Sequence, residues 1–107
     1  MNIGLWEILV PTVKDEATQK FYTLRYHKVW DAKIRAIAGG LTVLSPIKGQ
    51  WVGPRDAVFN ERMIPVRIAA TKEQIMQVIN ITLEYYDQEA VMAYRISDEV
   101  IIQMRKE

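Results

Sequence analysis

One histidine in this chain is placed where it could take part in acid–base chemistry. His27 falls in a segment whose apolar spacing predicts a helix, and Asp31 follows four residues later. Residues four apart share a helix face, so this carboxylate could orient the imidazole for proton transfer. Arg35 continues the same spacing, which also fits a solvated charged stripe. We favour the stripe and keep His27 and Asp31 as the acid–base pair of an alternative, enzymatic hypothesis.

Residues 47–62 (IKGQWVGPRDAVFNER) form a second region that could carry function. Glycine and proline predict a loop or a loose hairpin that turns near Gly53-Pro54. Long ordered connections are often functional, and tryptophan is enriched at binding hot spots. Trp51 could instead fold back over the core, and the charged residues could simply solvate the surface. We predict a binding site for a protein partner or a small anionic ligand, formed by Trp51, Arg55, Glu61, Arg62 and Lys48.

Other kinds of site lack the residues that they need. The chain has no cysteine, so thiolate metal sites and a thiol nucleophile are excluded. Gly39-Gly40 follows a helical segment, whereas a phosphate-binding glycine loop precedes one. The acidic residues around the last predicted strand match no metal-binding loop. We expect no metal and no cofactor, and an enzyme is the less favoured class.

The bulk composition is that of a small globular domain. The 107 residues are half apolar and one quarter charged, which predicts a single α+β domain over residues 1–107. A net charge of +1 argues against nucleic-acid binding, which depends on a basic excess. No signal peptide or membrane-spanning run is evident. We expect a cytoplasmic protein, in the host cytoplasm if a phage encodes it.

The hydrophobic pattern predicts the order β-α-β twice over. Residues 14–20 are predicted to be a solvated loop or a flap, and residues 100–104 to continue the last strand or add a fifth. Thr71 and Gln74 form a capping-box pattern at the start of the second helix. The predicted elements are strand 5–13, helix 25–38 ending at Gly39-Gly40, strand 41–44, strand 63–70, a helix from Thr71 to near Asp87-Gln88, and strand 90–96.

This order resembles the ferredoxin-like fold, with two helices on one face of a four- or five-stranded, mainly antiparallel sheet. The segments GGLTVLSPIKGQW (39–51), ERMIPVRI (61–68) and QEAV (88–91) also resemble small proteins of bacteria and their phages. No activity and no functional residue carries over from that resemblance. The ferredoxin-like order makes the third strand central, where Pro65 fits badly, so the strand order stays open.

These observations lead to a binding protein that associates with itself. The candidates for the sheet face away from the helices are Leu5, Glu7, Leu9, Met63, Arg67, Met92 and Tyr94. This face is partly apolar, which predicts a homo-oligomer, in particular a dimer that buries sheet faces or edges. The favoured function is a non-enzymatic binding or accessory protein, encoded by a phage or mobile element, acting through residues 47–62. The alternative is a small dimeric α+β barrel enzyme for a hydrophobic or anionic substrate, with His27 and Asp31 as its acid–base pair.

Overall fold

The computed structural model describes residues 2–15 and 17–106. Its elements follow the predicted order, with two additional short strands early in the chain. They are β1 (Gly4–Pro11), β2 (Val13–Asp15), β3 (Lys20–Phe21), α1 (Leu24–Ala38), β4 (Thr42–Val43), β5 (Ile47–Val52), a 3-10 turn (Pro54–Asp56), β6 (Val58–Ala70), α2 (Lys72–Tyr85) and β7 (Ala93–Ser97).

The main sheet is antiparallel and has the ferredoxin-like strand order. β1 lies between β6 and β7, and β6 pairs on its other side with β4 and with β5. The fold prediction is therefore confirmed. β2 and β3 pair with each other in a separate two-stranded sheet, so part of the segment predicted to be a loop or flap is a small hairpin.

The end of α1 and the start of α2 lie at the residues that the sequence marks for these roles, and the start of α1 is capped by Thr23. The Thr23 hydroxyl accepts a hydrogen bond from the Tyr26 backbone N–H, and Gly39 ends α1 with φ at 90°. That left-handed conformation favours glycine because a Cβ would crowd the backbone there. In α2 the Thr71 side chain caps Gln74, and the Gln74 side chain accepts from the Thr71 N–H, which confirms the predicted capping box.

The core lies between the helices and one face of the sheet. Alternate residues of the central strands, such as Ile8 and Ile68, point into it. Trp30 fills its centre with 1% of its surface exposed, and its indole N–H donates to the Thr82 hydroxyl at 3.0 Å. The buried residues of this cluster are Ile8, Val10, Trp30, Ile34, Val66, Ile68, Ala70, Ile75, Val78 and Tyr86.

Pro65 fits within the central strand β6 because the partner on one side of β6 changes there from β5 to β4. Its carbonyl accepts from the Leu44 N–H at 2.9 Å. In an antiparallel strand the N–H and carbonyl of a residue point to the same side. The missing donor of Pro65 therefore faces Leu44, just past the end of β4, and the proline costs only the reciprocal bond of that last pair. The strand order left open by the sequence is thus compatible with proline.

Two segments extend away from this core. The molecule is elongated, measuring 56 × 29 × 22 Å, and β5 with the first half of β6 forms a hairpin that pairs with no further strand of the main sheet. The segment left open as loop or hairpin is thus a hairpin. Residues 98–106 contain no strand, contrary to the fifth strand considered for 100–104. In the part of the chain that the structure describes, no helix is long and apolar enough to cross a membrane.

Candidate functional site

The sheet face turned away from the helices, here called the outer face, carries an apolar pocket of about 550 Å³. It lies beside the hairpin, where the last residues of β1 meet the segment before β7. Alternation along the strands sets which side chains reach it, since Leu9 and Met63 point away from their core neighbours. The pocket is lined by Leu9, Pro11, Trp51, Glu61, Met63, Gln88, Ala90, Val91, Met92 and Ala93.

Trp51 and Glu61 enter this pocket from the two strands of the hairpin. Trp51 lies opposite Phe59, and Gly49 lies opposite Glu61, so all four residues share one face. A Cβ at Gly49 would lie 2.4 Å from the Met63 methyl group, so a larger residue there would displace the flexible end of Met63. Trp51 is 40% exposed and does not cover the core. Its indole is available to a ligand.

The charge of the pocket follows from its lining. Glu61 is the one charged residue among those that line it, beside the aromatic Trp51 and the amide of Gln88. The remaining surface is aliphatic or thioether. An aromatic face and a carboxylate at one apolar pocket attract an organic cation.

The basic residues predicted for the site lie on the opposite face of the hairpin. Lys48 and Arg62 are directly paired across the strands and border a second pocket of about 470 Å³. Glu61 also lines that pocket. Arg55 lies in the turn with φ at 64° and lines neither pocket. The five predicted residues are thus divided between two faces and the tip of the hairpin.

His27 belongs to a cluster of tyrosines between α1 and the end of α2. Its Nδ1 lies 2.6 Å from the hydroxyl of Tyr86, whose side chain is fully buried. Burial lowers the pKa of His27, and the nearby Asp31 carboxylate opposes that shift. Burial also raises the pKa of Asp31. His27 lines neither of the two pockets described above, and its ring is held by the core.

A polar cluster on the outer face was not recognised as a site from the sequence. Arg67 Nε donates to the Glu7 carboxylate at 3.1 Å, and the Tyr94 hydroxyl donates to the same carboxylate. This hydrogen bond, more than burial, raises the pKa of Tyr94. Alternation placed all three residues on this face, but their contact depends on the register of β6 and β7 against β1.

The described residues contain no cluster of side chains suited to bind a metal ion. Within residues 2–15 and 17–106, no three or more histidine or acidic side chains lie together in a way that could hold a metal ion. The acidic residues near the ends of β7 belong to surface turns. Glu99, for example, lies in a turn where its backbone N–H donates to the Ser97 hydroxyl at 3.1 Å.

Comparison with known proteins identifies the fold and leaves the family open. No protein-family model and no curated protein sequence matches the chain. A phage SAM lyase solved with S-methyl-5'-thioadenosine matches with a TM-score of 0.64 and 16% identity over 90% of both chains. The divalent ion tolerance protein CutA1 of Ehrlichia chaffeensis matches with a TM-score of 0.63 and 13% identity over 94% of this chain and 85% of its own. The divalent cation tolerance protein of Thermus thermophilus matches with a TM-score of 0.64 and 7% identity, over 96% of this chain and 87% of its own.

Proposed function

We propose that this chain is a binding protein for a small organic cation that carries a flat aromatic ring, of the S-adenosylmethionine type. The observation that carries the proposal is the convergence of Trp51 and Glu61 on the apolar outer-face pocket. From the sequence, either a protein partner or a small anionic ligand was expected at residues 47–62. Because the basic residues Lys48 and Arg62 lie on the opposite face, this pocket suits a cation better.

Each part of such a ligand has a counterpart in the pocket. A purine ring can stack on the exposed indole of Trp51, and a sulfonium or ammonium centre is attracted both to the indole face and to Glu61. Leu9, Met63 and Val91 offer an apolar wall for the connecting atoms. The pocket volume of about 550 Å³ lies within the range of small-molecule sites.

The structural comparisons support the ligand class. The phage SAM lyase, solved with a methylthioadenosine ligand, shares the fold across nine-tenths of both chains. This agrees with the resemblance of segments 39–51 and 61–68 to phage proteins. It also favours a second candidate function, in which the chain cleaves S-adenosylmethionine. The His27–Asp31 enzyme hypothesis gains no support from geometry, because Nδ1 of His27 is bonded to Tyr86.

Calorimetric titration with two related ligands tests the proposal. S-adenosylmethionine carries a sulfonium charge, whereas S-methyl-5'-thioadenosine is its neutral thioether relative. Trp51→Ala should weaken both ligands about tenfold or more, since stacking contributes roughly 1–3 kcal/mol per base. Glu61→Gln should weaken S-adenosylmethionine selectively, because only that ligand loses an ionic interaction.

Val52→Ala is the matched control, since Val52 is 72% exposed and points to the other face of the same strand. It should bind both ligands as the natural chain does. Binding that is absent at millimolar ligand, or that survives both pocket substitutions, would contradict the proposal. Chromatography of the same mixtures tests the second candidate, because a lyase would release S-methyl-5'-thioadenosine from S-adenosylmethionine.

We also propose that the chain forms a homo-oligomer, with a dimer as the expected state, and that it acts in the cytoplasm. Support for self-association comes from large apolar side chains at the surface. Phe59 on the hairpin is 50% exposed, and Met92, which lines the pocket, is 49% exposed. Large apolar side chains exposed in this way are typical of interaction sites. A separate protein partner for the hairpin remains the alternative.

A further inference from the structure

The C-terminal segment, residues 98–106, exposes an apolar, β-prone run that its own chain leaves uncovered. Ile101, Ile102 and Met104 are 79%, 74% and 76% exposed. The structure assigns no strand to this segment. Large side chains so close together in sequence are costly to hold in water and are suited to pairing in a sheet.

The hairpin presents a complementary feature, an open strand edge. β5 pairs with β6 on one side, and among the described strands it has no neighbour on its other side. That edge has unpaired backbone donors and acceptors, flanked by the exposed Ile47, Trp51 and Val52. A long apolar edge is a template for the addition of another strand.

The two features cannot pair within one chain. Ser97 lies opposite Leu5, and Leu5 lies opposite Ala69, whereas the near end of β5 lies opposite Met63. Six residues of β6 separate those two levels, which is about 20 Å along the sheet. From Ser97 to Val100, where the apolar run begins, an extended chain reaches about 11 Å at most. β7 also runs parallel to β6, away from the hairpin, so residues 98–106 leave the sheet at the end opposite to the hairpin.

We propose that residues 100–104 of one copy add as a strand to the open edge of β5 in a second copy. This inference rests on the proposed self-association and names the segment and edge that produce it. The five-residue run 100–104 is close in length to β5, which has six residues. Because tail and hairpin are different surfaces, the contact is head-to-tail, and a closed assembly forms when two copies exchange tails or when several copies close into a ring.

Native mass spectrometry of the natural chain and of a chain ending at Asp98 tests the contribution of the segment. The deletion removes no core residue, so circular dichroism should be unchanged. We expect the shortened chain to dissociate at a concentration at least tenfold higher. A natural chain that stays monomeric at high micromolar concentration overturns both self-association and this inference. An oligomer that survives the deletion overturns this inference alone.

Engineered disulfides test the site itself, since the natural chain has no cysteine. Ile101→Cys or Ile102→Cys is combined in turn with Lys48→Cys, Gln50→Cys or Val52→Cys, and isotopically light and heavy chains are mixed. Adjacent strand residues face opposite sides, so one of the two tail cysteines should form mixed light–heavy disulfides with β5. Ile96→Cys on β7 is the control for pairing within a chain. Disulfides to position 96 alone, or none to β5, would refute the assignment.

Discussion

The imidazole Nδ1 of His27 lies 2.6 Å from the hydroxyl of Tyr86, across the interface of α1 and the end of α2. Burial raises the pKa of Tyr86 far above its usual range, so the phenol keeps its proton. It can donate to the Nδ1 of a neutral imidazole that carries its proton on Nε2. Protonation of Nδ1 would require the hydroxyl to turn and accept, and would place a positive charge in a partly buried site. The histidine is thus tied to the stability of the core.

The first prediction is that stability falls when His27 becomes protonated. Burial lowers its pKa in the folded chain below the ordinary 6.5, so between those two values the unfolded chain binds more protons. The stabilisation is complete above pH 6.5 and is lost as the pH falls through the folded pKa. Urea denaturation at several pH values between about 7.5 and 5 measures this slope.

His27→Gln is the variant that isolates this effect, because glutamine does not titrate. Its free energy of unfolding should vary less over the same pH range. Asp31 contributes the opposite sign at lower pH, because its raised pKa destabilises the fold above that pKa and the penalty is relieved as the pH falls towards 3.8. An unchanged slope in His27→Gln would show that another group titrates.

The second prediction concerns the Tyr94 phenol. Its hydrogen bond to the Glu7 carboxylate is the main cause that raises its pKa above 10.0. Glu7→Gln removes the negative charge that opposes ionisation, so the pKa of Tyr94 should fall towards 10.0. NMR titration of labelled tyrosine measures it. Tyr22, whose pKa is raised mainly by burial, should not move and serves as the internal control.

The third prediction compares two adjacent glycines. Gly39 has φ at 90°, whereas Gly40 has no such conformation, and a Cβ at either position meets no atom within 4 Å. Gly39→Ala should destabilise the chain by about 1–2 kcal/mol through backbone strain alone. Gly40→Ala should be neutral or slightly stabilising. Thermal unfolding of both variants measures the two losses of stability and separates backbone strain from steric crowding. Equal losses of stability in the two variants would contradict the assignment of Gly39 as the helix cap.

Local patterns were sufficient for the helices and for most of the strands. The spacing of Trp30 and Ile34, the capping box at Thr71 and the glycine after α1 depend on neighbours in sequence, and all three are confirmed. The alternation that placed Glu7, Arg67 and Tyr94 on one sheet face is local as well. Their hydrogen bonding is not, since it requires three strands in register.

The candidate site shows the same division. Trp51 and Glu61 were singled out by residue type together with Lys48 and Arg62, and the hairpin places the last two on the opposite face, because alternate strand residues point to opposite sides. A loop, which the sequence equally allowed, would have permitted that grouping. His27 was paired with Asp31 by helical spacing, whereas the fold brings it to Tyr86, 59 residues away.

By itself the sequence determined the β-α-β-β-α-β order of the main elements, the glycine end of α1, the capped start of α2 and the side chains that alternate between core and outer face, because propensity, capping and periodicity act over a few residues. Only the tertiary structure decided that Trp51 and Glu61 share an apolar pocket, that Pro65 lies beside the gap between β4 and β5, and that His27 is bonded to Tyr86. These contacts depend on strand register and helix packing, which arise only when distant segments are buried together.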